Sequence, residues 1–174
     1  MRCRSSSSSR LIRQPRTTSG GAPPAGGQGC YLRPVVRRPD RWAFAARNDG
    51  IDAIFTSDLA RAVETVQIAF PESGVPILMD WRLRECDYGD MTGIAPELLD
   101  RDAHIDVPYP SGESWRQAAD RVAWFLRDIE RRWQRSRLLV VGHTATWRGL
   151  EHAINGTPLN TPFEWQPGWE YRLA

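Results

Sequence analysis

The chain has 174 residues, 41% hydrophobic content and a mean hydropathy of −0.50, figures that suit a single soluble α/β core and leave no apolar run long enough to span a membrane. Its net charge of +2 hides an asymmetry: residues 1–40 hold eight arginines against one aspartate, a net of +7, so the remainder is mildly acidic and nothing in it argues for nucleic acid. Cys3, Cys30 and Cys86 form neither an even disulfide framework nor a metal-ligand spacing, which predicts reduced thiols and, with no signal-peptide core, a cytoplasmic protein.

Met1 to Gly29 contains five consecutive serines, Ser5 to Ser9, scattered arginines and the run GGAPPAGGQG, with no acidic residue. Such a segment buries too little apolar surface to offset chain entropy, so residues 1–40 are expected to be disordered. Three readings compete: an organellar targeting peptide, a basic tail for nucleic acid or anionic lipid, or a stretch translated from another reading frame. All 23 basic residues are arginine, as GC-rich coding produces, and GC-rich DNA read out of frame yields the Arg, Ser, Pro, Gly and Ala crowded here. The frame-shift reading is favoured on that ground. Tyr31 to Val36 is a faint strand candidate, and it holds Arg33 and Pro34.

Patterned sequence begins near Asn48. Ile51 to Phe55 reads as a strand, Ser57 or Asp58 as the cap of the next helix, and Leu59, Ala62, Val63, Val66 and Phe70 as its apolar face. Arg61 falls in the first turn of that helix, where the macrodipole disfavours a cation, so its charge points to a use. Trp81 to Gly93 has turn residues and charges without a sustained period, and it carries Glu85 between Arg84 and Cys86. A loop carboxylate held near cations and partly desolvated can exchange a proton near neutral pH. Cys86 reads as a small filler rather than a nucleophile.

From Glu113 to Gln134 the spacing predicts a long helix with Trp115, Ala118, Ala119, Val122, Leu126, Ile129 and Trp133 on its buried face. Arg127, Arg131, Arg132, Arg135 and Arg137 form its solvated side, with Asp128 placed to pair with Arg132. His104 and His152 read as surface residues. Leu138 to Val141 is apolar without alternation, the pattern of a parallel strand covered on both faces. Trp147, Leu150 and Ile154 then recur at helical spacing, and Gly156 and Pro158 stop the helix. His143 therefore stands at the carboxyl end of a buried strand, beside helix-start amides that favour a phosphate or carboxylate.

These segments resemble the histidine phosphatase superfamily, the phosphoglycerate mutase-like group, over roughly Asn48 to Ala174. SDLARAVET is similar to the family segment whose arginine binds phosphate, which carries over to Arg61. LRECDYGDMTG resembles the family's LRE-x-x-x-G segment, whose glutamate is general acid and then base, which carries over to Glu85. YPSGESW, Tyr109 to Trp115, resembles the GES segment that opens a long helix, and VVGHTATWRGL the segment with the second histidine, His143. FEWQPGWEYRL, Phe163 to Leu173, is similar to the last strand of bacterial members.

The resemblance implies a three-layer α/β sandwich, mostly parallel, with helices on both faces, and a two-step phosphoryl transfer through a phosphohistidine, without metal or organic cofactor. It assigns catalysis to Glu85 and His143, and phosphate binding to Arg61, His143 and Thr144, with a small phosphorylated substrate as partner. The family's nucleophile is the histidine of an Arg-His-Gly motif at the end of the first strand. Here the histidines are His104, His143 and His152, and that motif is missing. The expectation is therefore a phosphatase-like domain over residues 41–174 with its first strand absent or replaced. Either the chain is a phosphatase inactive for lack of its nucleophile, or it is a non-catalytic binder of phosphorylated ligands; a basic-tailed nucleic-acid-associated protein is the least favoured reading.

Overall fold

A computed structural model of the chain describes residues 31–35, 50–71, 73–95, 98–162 and 171–172. They build a five-stranded sheet from β1 (Tyr31–Val35), β2 (Ala53–Thr56), β3 (Ile77–Met79), β4 (Arg137–Val141) and β5 (Tyr171–Arg172), in the order β3-β2-β4-β1-β5. The first four strands run parallel and β5 runs antiparallel to β1. Three helices accompany them: α1 (Ala60–Ala69), α2 (Trp115–Arg132) and α3 (Thr144–Asn155).

The central strands β2 and β4 are buried on both faces, as the unbroken apolar run in β4 predicts. Ala53, Phe55, Leu138 and Val140 meet Val122, Phe125, Leu126 and Ile129 of α2 and Leu150 of α3. Ile54, Leu139 and Val141 meet Val66 and Ala69 of α1, with Phe70 just beyond it. Alternate residues of each strand thus serve opposite layers, and the expected three-layer sandwich is the fold. Phe55 anchors the larger layer through edge-to-face contacts with Phe125 and Trp133, ring centroids 5.3 and 5.5 Å apart.

Helix α2 starts at a capping box: Gln117 N–H donates to Ser114 Oγ at 3.1 Å, and Ser114 N–H donates to Gln117 Oε1 at 2.7 Å. Helix α3 lies against it at Gly149, where an added Cβ would come 2.6 Å from Val122 Cβ. Gly156, at φ +68°, ends α3 in the left-handed conformation.

The first strand is present. Tyr31–Val35 occupies the slot beside β4, in register from Tyr31↔Arg137 to Val35↔Val141, inside the stretch that composition marks as disordered. Pairing with β4 overrides the weak strand propensity of Arg33 and Pro34. Beyond Leu32, β1 has no strand partner on its β5 side among the described residues, and such an edge is where a sheet tolerates proline. Residues 1–30 and 36–49 lie outside the described residues, as does most of the Phe163–Leu173 segment.

Two local expectations are corrected. Neither Ser57 nor Asp58 caps α1: the N-cap is Leu59, because Ser57 and Asp58 are engaged by groups from other loops. Asp128 pairs with Arg82 at 2.7 Å rather than with Arg132 along its own helix. Arg82 is locked by a second carboxylate, Asp80, also at 2.7 Å, and so offers Asp128 a fixed partner.

Candidate active site

Strands β2 and β4 are neighbours, with Thr56 opposite Val141, so the chain leaves both at one point on the sheet's carboxyl edge. Ser57 N–H donates to Val141 O at 3.1 Å, and Ser57 Oγ lies 2.9 Å from His143 Nε2. Both side chains are buried, Ser57 wholly and His143 to 8% exposure. Ser57 Oγ also accepts the Leu59 N–H at 3.1 Å, which leaves it one lone pair and its proton for His143 Nε2. An imidazole taking that proton at Nε2 carries its own on Nδ1. Burial, then the charges of Arg61 and Arg121, push the His143 pKa down to about 4, which keeps the ring neutral near pH 7.

The backbone of His143 is pinned as firmly as its ring. Its N–H donates to Thr146 Oγ1 at 3.0 Å, and that hydroxyl donates to Leu83 O at 2.7 Å, tying the start of α3 to the loop that bears Glu85. Glu85 closes the link: Oε1 accepts the N–H groups of Cys86 (2.9 Å) and Ala145 (3.0 Å), and Oε2 that of Thr144 (3.2 Å). The amides expected to face a phosphate are thus occupied by a carboxylate of the chain itself. This corrects the picture of exposed amides at Thr144; a carboxylate is the anion that a helix N-terminus holds here.

Two arginines brace the Glu85 loop. Arg84 forms a two-point ion pair with Asp58, Nε to Oδ1 at 2.7 Å and Nη2 to Oδ2 at 2.5 Å, which holds the Asp58 carboxyl below the usual range. Arg121, buried in α2, donates to Arg82 O (2.7 Å), Glu85 O (3.0 Å) and both carboxylate oxygens of Glu113 (2.6 and 3.1 Å). Cys86 is a buried filler whose thiol pKa is pushed up to about 12, chiefly by burial, so it is no thiolate nucleophile near neutral pH.

Residues 37–168 match the family model for the histidine phosphatase superfamily (branch 1). The chain belongs to the histidine phosphatase superfamily. It is 31% identical over 141 residues to a 2,3-bisphosphoglycerate-dependent phosphoglycerate mutase of Methylorubrum extorquens (strain PA1), and 35% identical over 132 residues to one of Allorhizobium ampelinum. Those matches cover 72% and 66% of this chain and only 66% and 63% of the relatives. Among solved structures, Bacillus stearothermophilus YhfR superposes with TM-score 0.61 at 23% identity, covering 77% of this chain and 84% of the other. A mycobacterial glucosyl-3-phosphoglycerate phosphatase, solved with inorganic phosphate, gives 0.58 at 19% identity, covering 76% and 81%. Both superpositions speak for the fold of this superfamily member.

The fold sets Glu85 one hydrogen bond from the residues that follow His143, and sets Arg61, itself exposed, close enough to His143 for its charge to act there. His104 stacks on Tyr109 with centroids 3.9 Å apart, and His152 holds Thr157 O at 2.9 Å, so both have local structural contacts. Sequence reasoning misses Ser57, Arg121, Thr146 and Arg148. Arg121 carries a signal: a cation among the apolar positions Ala118, Val122 and Phe125 is buried with them, and a buried cation demands acceptors. Among the described residues no group of three or more His, Cys, Asp or Glu side chains could hold a metal ion, and no helix is long and apolar enough to cross a membrane.

Proposed function

We propose that this chain binds small phosphate monoesters at the corner formed by Arg61, His143 and Ser57, and does not hydrolyse them through a phosphohistidine. The observation that carries the proposal is the identity of the residues around β1. That strand lies beside β4, yet no histidine occurs between it and His104. In the sequence the three residues that follow Val35 are Val36, Arg37 and Arg38. The covalent route loses its nucleophile, and losing such a group costs several orders of magnitude in rate.

Anion binding keeps its elements. Arg61 supplies charge at the site, and neutral His143 supplies a hydrogen-bond donor that needs no protonation. The binding unit is residues 41–174 together with β1. Calorimetric titration with inorganic phosphate tests the reading: the purified chain should bind it, Arg61→Ala should weaken binding at least tenfold, and an aryl phosphate should turn over no faster than in buffer. Rapid turnover abolished by His143→Ala would overturn the proposal and make His143 the nucleophile.

A further inference from the structure

Arg61 is the second residue of α1, and Asp58 stands two residues before the helix. The helix opens without a side-chain cap and with no acidic residue in its first turn, so Asp58 is the carboxylate that the chain sets against that end. A carboxylate there is favoured by the helix macrodipole and by a cation three positions on. Asp58 nevertheless turns away. Both its oxygens are held by Arg84, 26 positions on in the loop that bears Glu85, Nε to Oδ1 at 2.7 Å and Nη2 to Oδ2 at 2.5 Å. Arg61 is exposed and forms no ion pair among the described residues.

The pair of Asp58 and Arg84 contributes little to stability, since its side chains are 29 and 50% exposed and water screens such contacts. Its geometry is nonetheless demanding: two parallel N–H···O bonds hold carboxylate and guanidinium in one arrangement. What the pair fixes is the place of one negative charge. Released from Arg84, the Asp58 carboxylate has Arg61 as its nearest cation along the chain. A carboxylate and a phosphate use the same guanidinium donors, so an Asp58 turned to Arg61 competes directly with a phosphate ligand.

We propose that Arg84 is a positioning residue for Arg61: by gripping Asp58 at both oxygens it keeps that carboxylate off the Arg61 guanidinium, which stays open to the phosphate. Arg84 acts through Asp58 and touches no ligand itself. The two loops therefore depend on each other, one carrying the phosphate-binding arginine and the other restraining its competitor. The inference rests on the phosphate-binding reading above and adds to it a residue that acts at a distance from the anion.

The test is calorimetric titration of the full chain with inorganic phosphate, in variants that break the ion pair from either side. Arg84→Gln frees a carboxylate and should weaken binding at least fivefold. Asp58→Asn frees only a cation and should not weaken it. The double variant Arg84→Gln with Asp58→Asn should bind as the unaltered chain does, whereas Arg84→Gln with Glu64→Gln, which removes a different carboxylate near Arg61, should stay weak. Arg84→Lys keeps the charge without the two-point grip; it should show a smaller loss that Asp58→Asn also cancels, and it serves if Arg84→Gln fails to fold. Equal losses in Arg84→Gln and Asp58→Asn, no loss in Arg84→Gln, or a loss that Asp58→Asn does not rescue each overturns the inference and leaves the phosphate reading standing. Equal rescue by Glu64→Gln also overturns it, because net charge alone then accounts for the effect. Failure of the unaltered chain to bind phosphate overturns both.

Discussion

Ser57 Oγ and His143 Nε2 meet at 2.9 Å, joining the residues that follow two adjacent parallel strands. The contact holds the Nε2 edge of the imidazole, so Ser57 is a positioning residue for His143. Ser57→Ala removes the hydroxyl from Nε2 and also leaves the Leu59 N–H without its acceptor. A buried donor or acceptor left unmet costs about 1–3 kcal/mol. The variant should lose about that much in urea denaturation, and its phosphate affinity should fall several-fold as the imidazole samples both tautomers. Unchanged affinity in calorimetry, with the stability loss present, would show that the hydroxyl serves packing alone.

His143 also predicts how stability follows pH. The ring titrates at about 4 in the folded chain against an ordinary value of 6.5, so the unfolded chain takes up the proton first. The stability that comes from keeping it neutral is complete above pH 6.5 and is lost as pH falls from 6.5 towards 4. Each tenfold difference in proton affinity between the folded and unfolded chain is worth about 1.4 kcal/mol, so the full loss is about 3 kcal/mol. Thermal melts from pH 7 to 4 should show a decline that His143→Gln flattens. Parallel declines in both proteins would assign the pH dependence to other groups.

Gly149 sets the approach of α3 to α2. Its hydrogen points at Val122, and a Cβ there would fall 2.6 Å from Val122 Cβ and 2.8 Å from Cγ2. Alanine gains helix propensity, about 1 kcal/mol over glycine, but the overlap involves a branched side chain that is wholly buried and has no room to turn. Gly149→Ala should therefore destabilise the chain by about 1–3 kcal/mol in urea, and Val122→Ala added to it should recover part of that loss. Two independent, additive penalties would mean that the helices do not meet at this point.

The sandwich is legible in the sequence because its signals are local. Leu138 to Val141 has no polar alternation, and both strand-to-helix crossings carry period-3.6 stripes, so β4, α1, α2 and α3 follow from pattern. Strand β1 is only faintly legible: Tyr31 to Val36 reads as a weak strand candidate, Arg33 and Pro34 argue against it, and pairing with its two neighbours makes Tyr31–Val35 a strand. The candidate site divides along the same line. Arg61, Glu85 and His143 stand out by position and by family resemblance, whereas Ser57 matters only because β2 and β4 are adjacent, a pairing that joins residues 86 positions apart. Arg148 follows Trp147 directly and lies off the Trp147, Leu150 and Ile154 stripe, so its burial, and its contacts with Trp115 and the carbonyls of Leu159 and Thr161, come from packing and not from pattern.

Glu85 supplies the last prediction, because two opposing effects of one carboxylate can be separated. It caps α3 by accepting the N–H groups of Thr144 and Ala145, and it stabilises its own loop through Cys86 N–H. Removing it should lower the melting temperature, since loss of a helix-capping acceptor costs about 0.5–2 kcal/mol. The same removal frees two amides at the positive end of a helix and takes a negative charge away from the proposed anion site. Glu85→Ala should therefore melt lower than the unaltered chain yet bind inorganic phosphate more tightly, and saturating phosphate should restore part of the lost melting temperature by mass action. Glu85→Gln keeps one acceptor oxygen and loses the charge, so it should fall between the two in both measurements. If Glu85→Ala binds phosphate more weakly while its circular dichroism stays native, the amides of Thr144 and Ala145 do not face the anion, and the phosphate must be held by Arg61 and His143 from the other side of the loop.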